Sequence, residues 1–261
     1  MSAPPQALTL RFNQIGHGNP VIILHGLFGW KRNWGAISKA LSTRHHVFAL
    51  DLRNHGESPW SEDMSYEAMA EDIARFIRSH AGGGADIIGH SMGGKVAMTT
   101  ALKHGNLVNR LCVVDIAPVP SPGNFAAHAR AMLTAPLRTA KSRGDIESHI
   151  ASAVADPSVR AFLMQNIAKL ERGFRWRPNV AVIERAMDDI MRFPAGPRGA
   201  SHSGPTLFIA GGDSDYIQPR HHGAIKALFP KARIDVIPGA GHWVHAEKSA
   251  AFISKALDFL T

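Results

Sequence analysis

Along the chain, short and nearly unbroken apolar runs alternate with longer stretches in which apolar residues recur every three to four positions. "VIILHG" (21–26), "HHVFALDL" (45–52), "ADIIGH" (85–90) and "RLCVVDI" (110–116) are of the first kind, and "SYEAMAEDIARFIRSH" (65–80) and "SMGGKVAMTTALKH" (91–104) are of the second. Continuous apolar strands separated by amphipathic helices predict a mostly parallel sheet covered on both faces, the doubly wound α/β class. From residue 119 to 204 the alternation stops. "NFAAHARAML" (124–133), "DIESHIASAVA" (145–155), "PSVRAFLMQNIAKL" (157–170) and "NVAVIERAMDDIMRF" (179–193) all read as helices bounded by Pro, Gly or Asp, with no strand between them. Strands and helices then resume with "PTLFIAGG" (205–212), "HHGAIKALF" (221–229), "ARIDVIPG" (232–239) and "SAAFISKALDFL" (249–260). The expected organisation is a core made of residues 1–118 and 205–261, interrupted by a helical insertion over 119–204.

A length of 261 residues with 45% hydrophobic and 19% charged positions suits one large domain or a core carrying an insertion. The first residues lack a basic segment followed by an apolar one, and no apolar run approaches the roughly 18 residues of a membrane span. A soluble, cytoplasmic protein is expected, with no membrane-spanning segment. Cys112 is the single cysteine. It permits no intrachain disulfide or cysteine-rich zinc site, and in its apolar strand it reads as a small core residue. The net charge of +8 would suit an anionic partner, yet no Lys/Arg run accompanies it, so nucleic acid binding is not expected. The charge is uneven: residues 116–200 hold 12 Lys+Arg against 7 Asp+Glu, a net +5.

The stretch "IIGHSMGGKV" (87–96) admits two chemistries. Read through Gly89, Gly94 and Lys95 it approaches a P-loop, but Val96 stands where the magnesium-binding Ser or Thr is required. Read as Gly89-His90-Ser91-Met92-Gly93 it is the G-x-S-x-G elbow of a serine hydrolase, lying between an apolar strand and a helix as that motif demands. Small neighbours let the chain double back at the nucleophile, and the helix beyond Ser91 turns free N–H groups toward a developing oxyanion. "LHGLFG" (24–29) follows a strand and offers a second donor in the N–H of Leu27, with Phe28 as alternative, to act beside the N–H of Met92. His242, in "IPGAGHWVHAEK" (237–248), follows the last strand and is the candidate base, with His245 as fallback. The acid that orients it comes either from Asp115 in "VVDIAPV" or from Asp213 or Asp215 in "FIAGGDSDYI", all at carboxyl ends of neighbouring strands.

Together "LHGLFG", "DLRNHGESP" (51–59), "IIGHSMGGK", "VVDIAPV", "RWRPNV" (175–180) and "PGAGHWVHAEKS" resemble the YbfF-type esterases of the α/β-hydrolase superfamily, from about residue 8 onward. The resemblance implies an α/β-hydrolase fold with a helical cap, the catalytic acid at Asp115, and a serine at the more usual acid position, matched by Ser214. Asp213 and Asp215 in the same loop keep Asp215 as the alternative acid. Ser91 in place of an aspartate argues against haloalkane dehalogenases and epoxide hydrolases. The implied substrates are carboxylic esters with short-to-medium acyl groups, extending to acyl thioesters such as acyl-CoA, whose anionic head group the basic cap would attract. The bland reading of the same arginines is a solvated face. His25, His90, Phe28 and Trp243 are expected beside the substrate. Phe174, Trp176, Phe162 and Met164 read equally as acyl-pocket wall or as cap core. No metal or organic cofactor is expected, and a monomer or homodimer fits equally. The competing readings are a perhydrolase, C–C hydrolase, acyltransferase or lyase on this fold, or a ligand receptor that does not turn over.

Overall fold

Residues 5–123, 125–194 and 199–261 are described in the computed structural model. Residues 1–4, 124 and 195–198, which belong to the expected core and insertion spans, lie outside them; residue 124 opens one expected helix, and Arg198 is among the insertion's basic residues. The strands are β1 (Phe12–Ile15), β2 (Asn19–Leu24), β3 (His45–Leu50), β4 (Ala85–His90), β5 (Val108–Val114), β6 (Ile167–Lys169), β7 (Phe174–Trp176), β8 (Thr206–Gly211) and β9 (Ala232–Ile237). The helices are α1 (Gly35–Leu41), α2 (Tyr66–His80), α3 (Met92–Lys103), α4 (Ala126–Leu133), α5 (Arg143–Ala151), α6 (Pro157–Met164), α7 (Val180–Arg185), α8 (Met187–Met191), α9 (His222–Leu228), α10 (Val244–Glu247) and α11 (Ser249–Leu260).

Seven strands form one sheet in the order β1-β3-β2-β4-β5-β8-β9, parallel except for β1, which runs antiparallel to β3. Every residue of β4 and of β8 is buried, as are the last four of β2. Both faces of these strands are therefore dry, which is why they read as continuous apolar runs. One apolar cluster joins the sheet to α2 and α3 and continues into the insertion, and a second packs the other face against α1 and α11. The edge strand β1 is mostly exposed and carries no apolar period. It was not expected from the pattern.

Between β5 and β8 the chain forms α4 to α8, but it is not wholly helical as expected. The stretch 157–170 divides into α6 and β6, and β6 pairs antiparallel with β7. Asn166 breaks the helix because its bonds go elsewhere: its side-chain amide donates to the main-chain oxygen of Phe28 (2.7 Å) and its carbonyl accepts from the Arg177 N–H (2.9 Å). The stretch 179–193 likewise splits into α7 and α8.

Strand register aligns Leu24 with Gly89, His90 with Val114, and Val114 with Ile209. The carboxyl ends of β2, β4, β5 and β8 thus meet along one edge, the position at which open α/β sheets bind ligands. Side chains from between β5 and β8, among them Phe125, Phe162 and Met191, line the space at that edge.

Candidate active site

Ser91 is the residue between β4 and α3, at φ +52° and ψ −121°. This backbone is strained for a residue with a Cβ and holds only because the surroundings enforce it. Close approach does so here: a Cβ on Gly89 would sit 2.3 Å from the Gly93 carbonyl oxygen, and a Cβ on Gly93 would sit 2.4 Å from that of His25. The Ser91 N–H is tied to the Val114 carbonyl (3.1 Å), fixing the elbow to the neighbouring strand.

Ser91 Oγ lies 3.0 Å from His242 Nε2, and His242 Nδ1 lies 2.8 Å from Asp115 Oδ2. Asp115 is fully buried, with φ +47°, and takes two further bonds: Oδ1 from the Gly211 N–H (2.9 Å) and Oδ2 from the Ser214 hydroxyl (2.5 Å). A carboxylate so held accepts from Nδ1–H and leaves Nε2 as the basic nitrogen facing the serine. Tyr216 stacks on the His242 ring at 3.7 Å between centroids. Burial and the nearby Asp115 charge push its hydroxyl up to about 12, so it stays neutral.

Phe28 also has a positive φ, +59°, in the turn after β2. Its N–H donates to His55 Nε2 (3.1 Å) and its carbonyl accepts from Asn166. The Phe28 N–H is therefore engaged and unsuited to the alternative oxyanion role. Among the described residues no hydrogen bond engages the N–H of Leu27 or of Met92, and both residues line the cavity at Ser91. Met92 opens α3, where backbone donors have no intrahelical partner.

A cavity of about 260 Å³ opens above Ser91. Leu27, Phe28, Trp34 and Trp243 line it from the core, and Phe125, Val159, Phe162 and Leu163 line it from the insertion. An outer groove of about 830 Å³ adjoins it, sharing Asn33, Phe162, Trp243 and His245 and adding Arg32, Arg143 and Glu247. Buried imidazoles kept neutral by desolvation lie in the cavity wall and, for His55, behind it. His25 is lowered to about 4, His55 to about 3 and His245 to about 3, and His90 lies well below its ordinary value. His90 donates from Nε2 to the His242 carbonyl (2.9 Å), bracing the loop that carries His242.

Residues 19–249 match the alpha/beta hydrolase fold family. The chain belongs to that family. This α/β hydrolase is 40% identical over 92% of its length, and 80% of the relative's, to the mouse (Mus musculus) protein named sn-1-specific diacylglycerol lipase ABHD11. It is 34% identical to Esterase YbfF of Escherichia coli, covering 91% of each chain. Among solved structures it superposes on a marine microorganism esterase with a TM-score of 0.92 and 39% identity, over 97% of this chain and all of the other. By sequence it sits among carboxylic ester hydrolases.

Several expected residues of this α/β hydrolase meet at the site and others do not. His25, His90, Phe28, Phe162 and Trp243 line the cavity. Both ring nitrogens of His25 are used within the protein, toward the Gly26 carbonyl and the Leu52 N–H, so it presents only its ring to a ligand. Trp176 is buried in the apolar cluster that the insertion shares with the core, its Nε1–H donating to Met132 (2.7 Å), and the half-buried Phe174 packs against that cluster. Met164 is likewise buried there. Asp213 and Asp215 are exposed, with Asp115 holding His242 instead. His245 is stacked on Trp34 at 4.1 Å. Cys112 is buried in β5, and desolvation raises its thiol to about 12, well away from thiolate chemistry. Among the described residues no helix is long and apolar enough to cross a membrane. The sequence missed Tyr216, His55 and Asn166. The motif "DLRNHGESP" was the available pointer to His55, and Tyr216 follows the acid candidates directly.

Proposed function

We propose that this α/β hydrolase is a serine carboxylesterase that cleaves short-to-medium acyl esters through an acyl-enzyme on Ser91. The relay from Ser91 Oγ through His242 to Asp115, at the floor of an apolar cavity, is the observation that carries this reading. His242 Nε2 takes the Ser91 proton as Oγ attacks the ester carbonyl, and Asp115 stabilises the imidazolium. The N–H groups of Leu27 and Met92 hold the oxyanion, and loss of one such donor typically costs about 10²–10³ in rate. His242 then protonates the departing alcohol and deprotonates a water that releases the acid. The insertion acts as a cap whose apolar side chains receive the acyl chain.

Acyl thioesters with an anionic head group are the second substrate class of this reading, supported by Arg32 and Arg143 on the outer groove that adjoins the cavity. A head group held by arginines loses kcat/KM as ionic strength rises, whereas a neutral glycerol ester does not. The deciding experiment is hydrolysis of p-nitrophenyl esters from acetate to palmitate by the wild type and Ser91→Ala. Turnover peaking at one chain length and abolished in the variant supports the reading. Turnover that survives the substitution, or no turnover on any ester, sinks it.

A further inference from the structure

Lys95 is a lysine with almost no access to water. It lies on α3, one helical turn beyond Ser91, is 1% exposed, and lines the inner cavity. Its Nζ donates to the main-chain oxygens of Met191 and Arg192 at 2.9 Å each and reaches that of Ile190 at 3.4 Å. These carbonyls lie at the end of α8, where the helix itself provides no donors. Three acceptors suit an ammonium, which has three N–H groups and no lone pair. Burial pulls its pKa down to about 7, and the three carbonyls oppose that pull by favouring the charged form.

Two further bonds converge on the same turn. The Tyr66 hydroxyl, from the start of α2, donates to the Ile190 carbonyl (2.6 Å). The Ser121 N–H, on the limb that leaves the core for the insertion, donates to the Met191 carbonyl (2.7 Å). The outgoing and returning limbs of the insertion therefore meet at one carbonyl, and Lys95 fastens that meeting point to the nucleophile helix. Ile190 and Met191 are also walls of the cavity. Where their backbone is held decides where the cavity ends.

We propose that Lys95, assisted by Tyr66, clamps the returning limb of the insertion onto the nucleophile helix and thereby sets the acyl-chain length that the cavity accepts. The proposal rests on reading that cavity as the acyl pocket. Lys95 is a specificity-determining residue on this view, acting through the position of Ile190 and Met191 and not on the reacting atoms. Replacing it with methionine removes all three donors while keeping an unbranched apolar stem. The wall is then free to retreat, and longer chains fit.

The test compares the wild type with Lys95→Met on p-nitrophenyl esters from acetate to palmitate, reading the ratio of kcat/KM for decanoate to that for acetate. General damage lowers both values and leaves the ratio in place. The clamp predicts a rise of about tenfold or more, the scale of one added methylene in an apolar pocket. Tyr66→Phe, which removes a single neutral hydrogen bond, shifts the ratio the same way by about threefold. Binding of fatty acids from butanoate to hexadecanoate is measured in parallel by the fluorescence of Trp34 and Trp243, in Ser91→Ala with and without Lys95→Met, and the preferred length increases. If the wild type cleaves no ester, the esterase reading fails and the binding series decides the clamp independently. If Lys95→Met does not accumulate, Tyr66→Phe decides it. An unchanged ratio together with an unchanged binding preference overturns the proposal.

Discussion

Asn166 donates its side-chain amide to the main-chain oxygen of Phe28 across 2.7 Å, so a residue of the insertion holds the turn that carries the Leu27 N–H. His55 grips the N–H of the same Phe28 from the core side. The peptide groups flanking Phe28 are thus fixed from both sides in a backbone region that non-glycine residues rarely adopt. Asn166→Ala removes one hold and lets the turn relax. The expected result is a fall in kcat of about tenfold with a smaller change in KM, because an oxyanion donor is worth most in the transition state. Steady-state kinetics on the best p-nitrophenyl ester check it. A change confined to KM would mean that Asn166 serves substrate docking alone.

Asp115 and Asp215 separate cleanly in a pair of variants. Asp115→Asn keeps the size of the side chain but favours the wrong His242 tautomer, and kcat is expected to fall by about 10⁴. Asp215→Asn alters an exposed carboxylate that accepts a long bond from Gln218 Nε2 (3.5 Å), and should leave kcat within about threefold, as surface changes usually do. Equal losses in the two variants would overturn the assignment of the acid.

These two aspartates also mark the limit of what one sequence conveys. β4 and the last four residues of β5 were legible because burial on both faces makes such a run mostly apolar, and Ser91 because its turn demands glycine at 89 and 93. The choice between Asp115 and Asp215 was not legible from spacing, since both follow carboxyl ends of adjacent strands, and only packing buries one and exposes the other. Phe174 and Trp176 were ambiguous for a similar reason: an aromatic residue looks the same in the interior of the insertion and on a pocket wall. The three-residue strands of the β6–β7 hairpin are too short to show a period. His55 could not be assigned its role because its bond to Phe28 joins residues 27 positions apart.

Arg53 and Asp72 form a buried pair, each 1% exposed, with Nε and Nη2 donating to the two carboxylate oxygens at 2.7 and 2.8 Å. Arg53 also donates to the carbonyls of Asp63, Gln6 and Ala68, tying the "DLRNHGESP" segment to α2 and to the irregular segment ahead of β1. Asp72→Ala strands a buried guanidinium and should destabilise the fold by about 3–5 kcal/mol. Urea unfolding followed by far-ultraviolet circular dichroism measures this. A loss below about 1 kcal/mol would indicate that the pair is no better than an exposed one.

Acid should unfold this protein early, and the buried imidazoles are the reason. His25, His55 and His245 have pKa values lowered by desolvation to about 4, 3 and 3, from an unfolded value of 6.5, and His90 is lowered as well. Below pH 6.5 the unfolded chain binds protons at these positions that the folded chain refuses, so stability falls as the pH drops and stops falling only near the folded pKa values. One histidine lowered from 6.5 to about 4 forfeits about 3 kcal/mol across that window. Asp86, raised to about 6 by burial, works in the opposite sense because the folded state holds its proton more firmly there. Asp72, also raised by burial, acts in the same sense as Asp86, but the lowered histidines outnumber these carboxyls and leave a net loss. The unfolding midpoint in urea is expected to fall steadily from pH 7 to pH 4.5, and His245→Phe, which keeps a ring against Trp34 but removes a titrating group, should flatten that slope. A midpoint that holds constant over the range, or an identical slope in the variant, would show that these rings gain protons in the folded state after all.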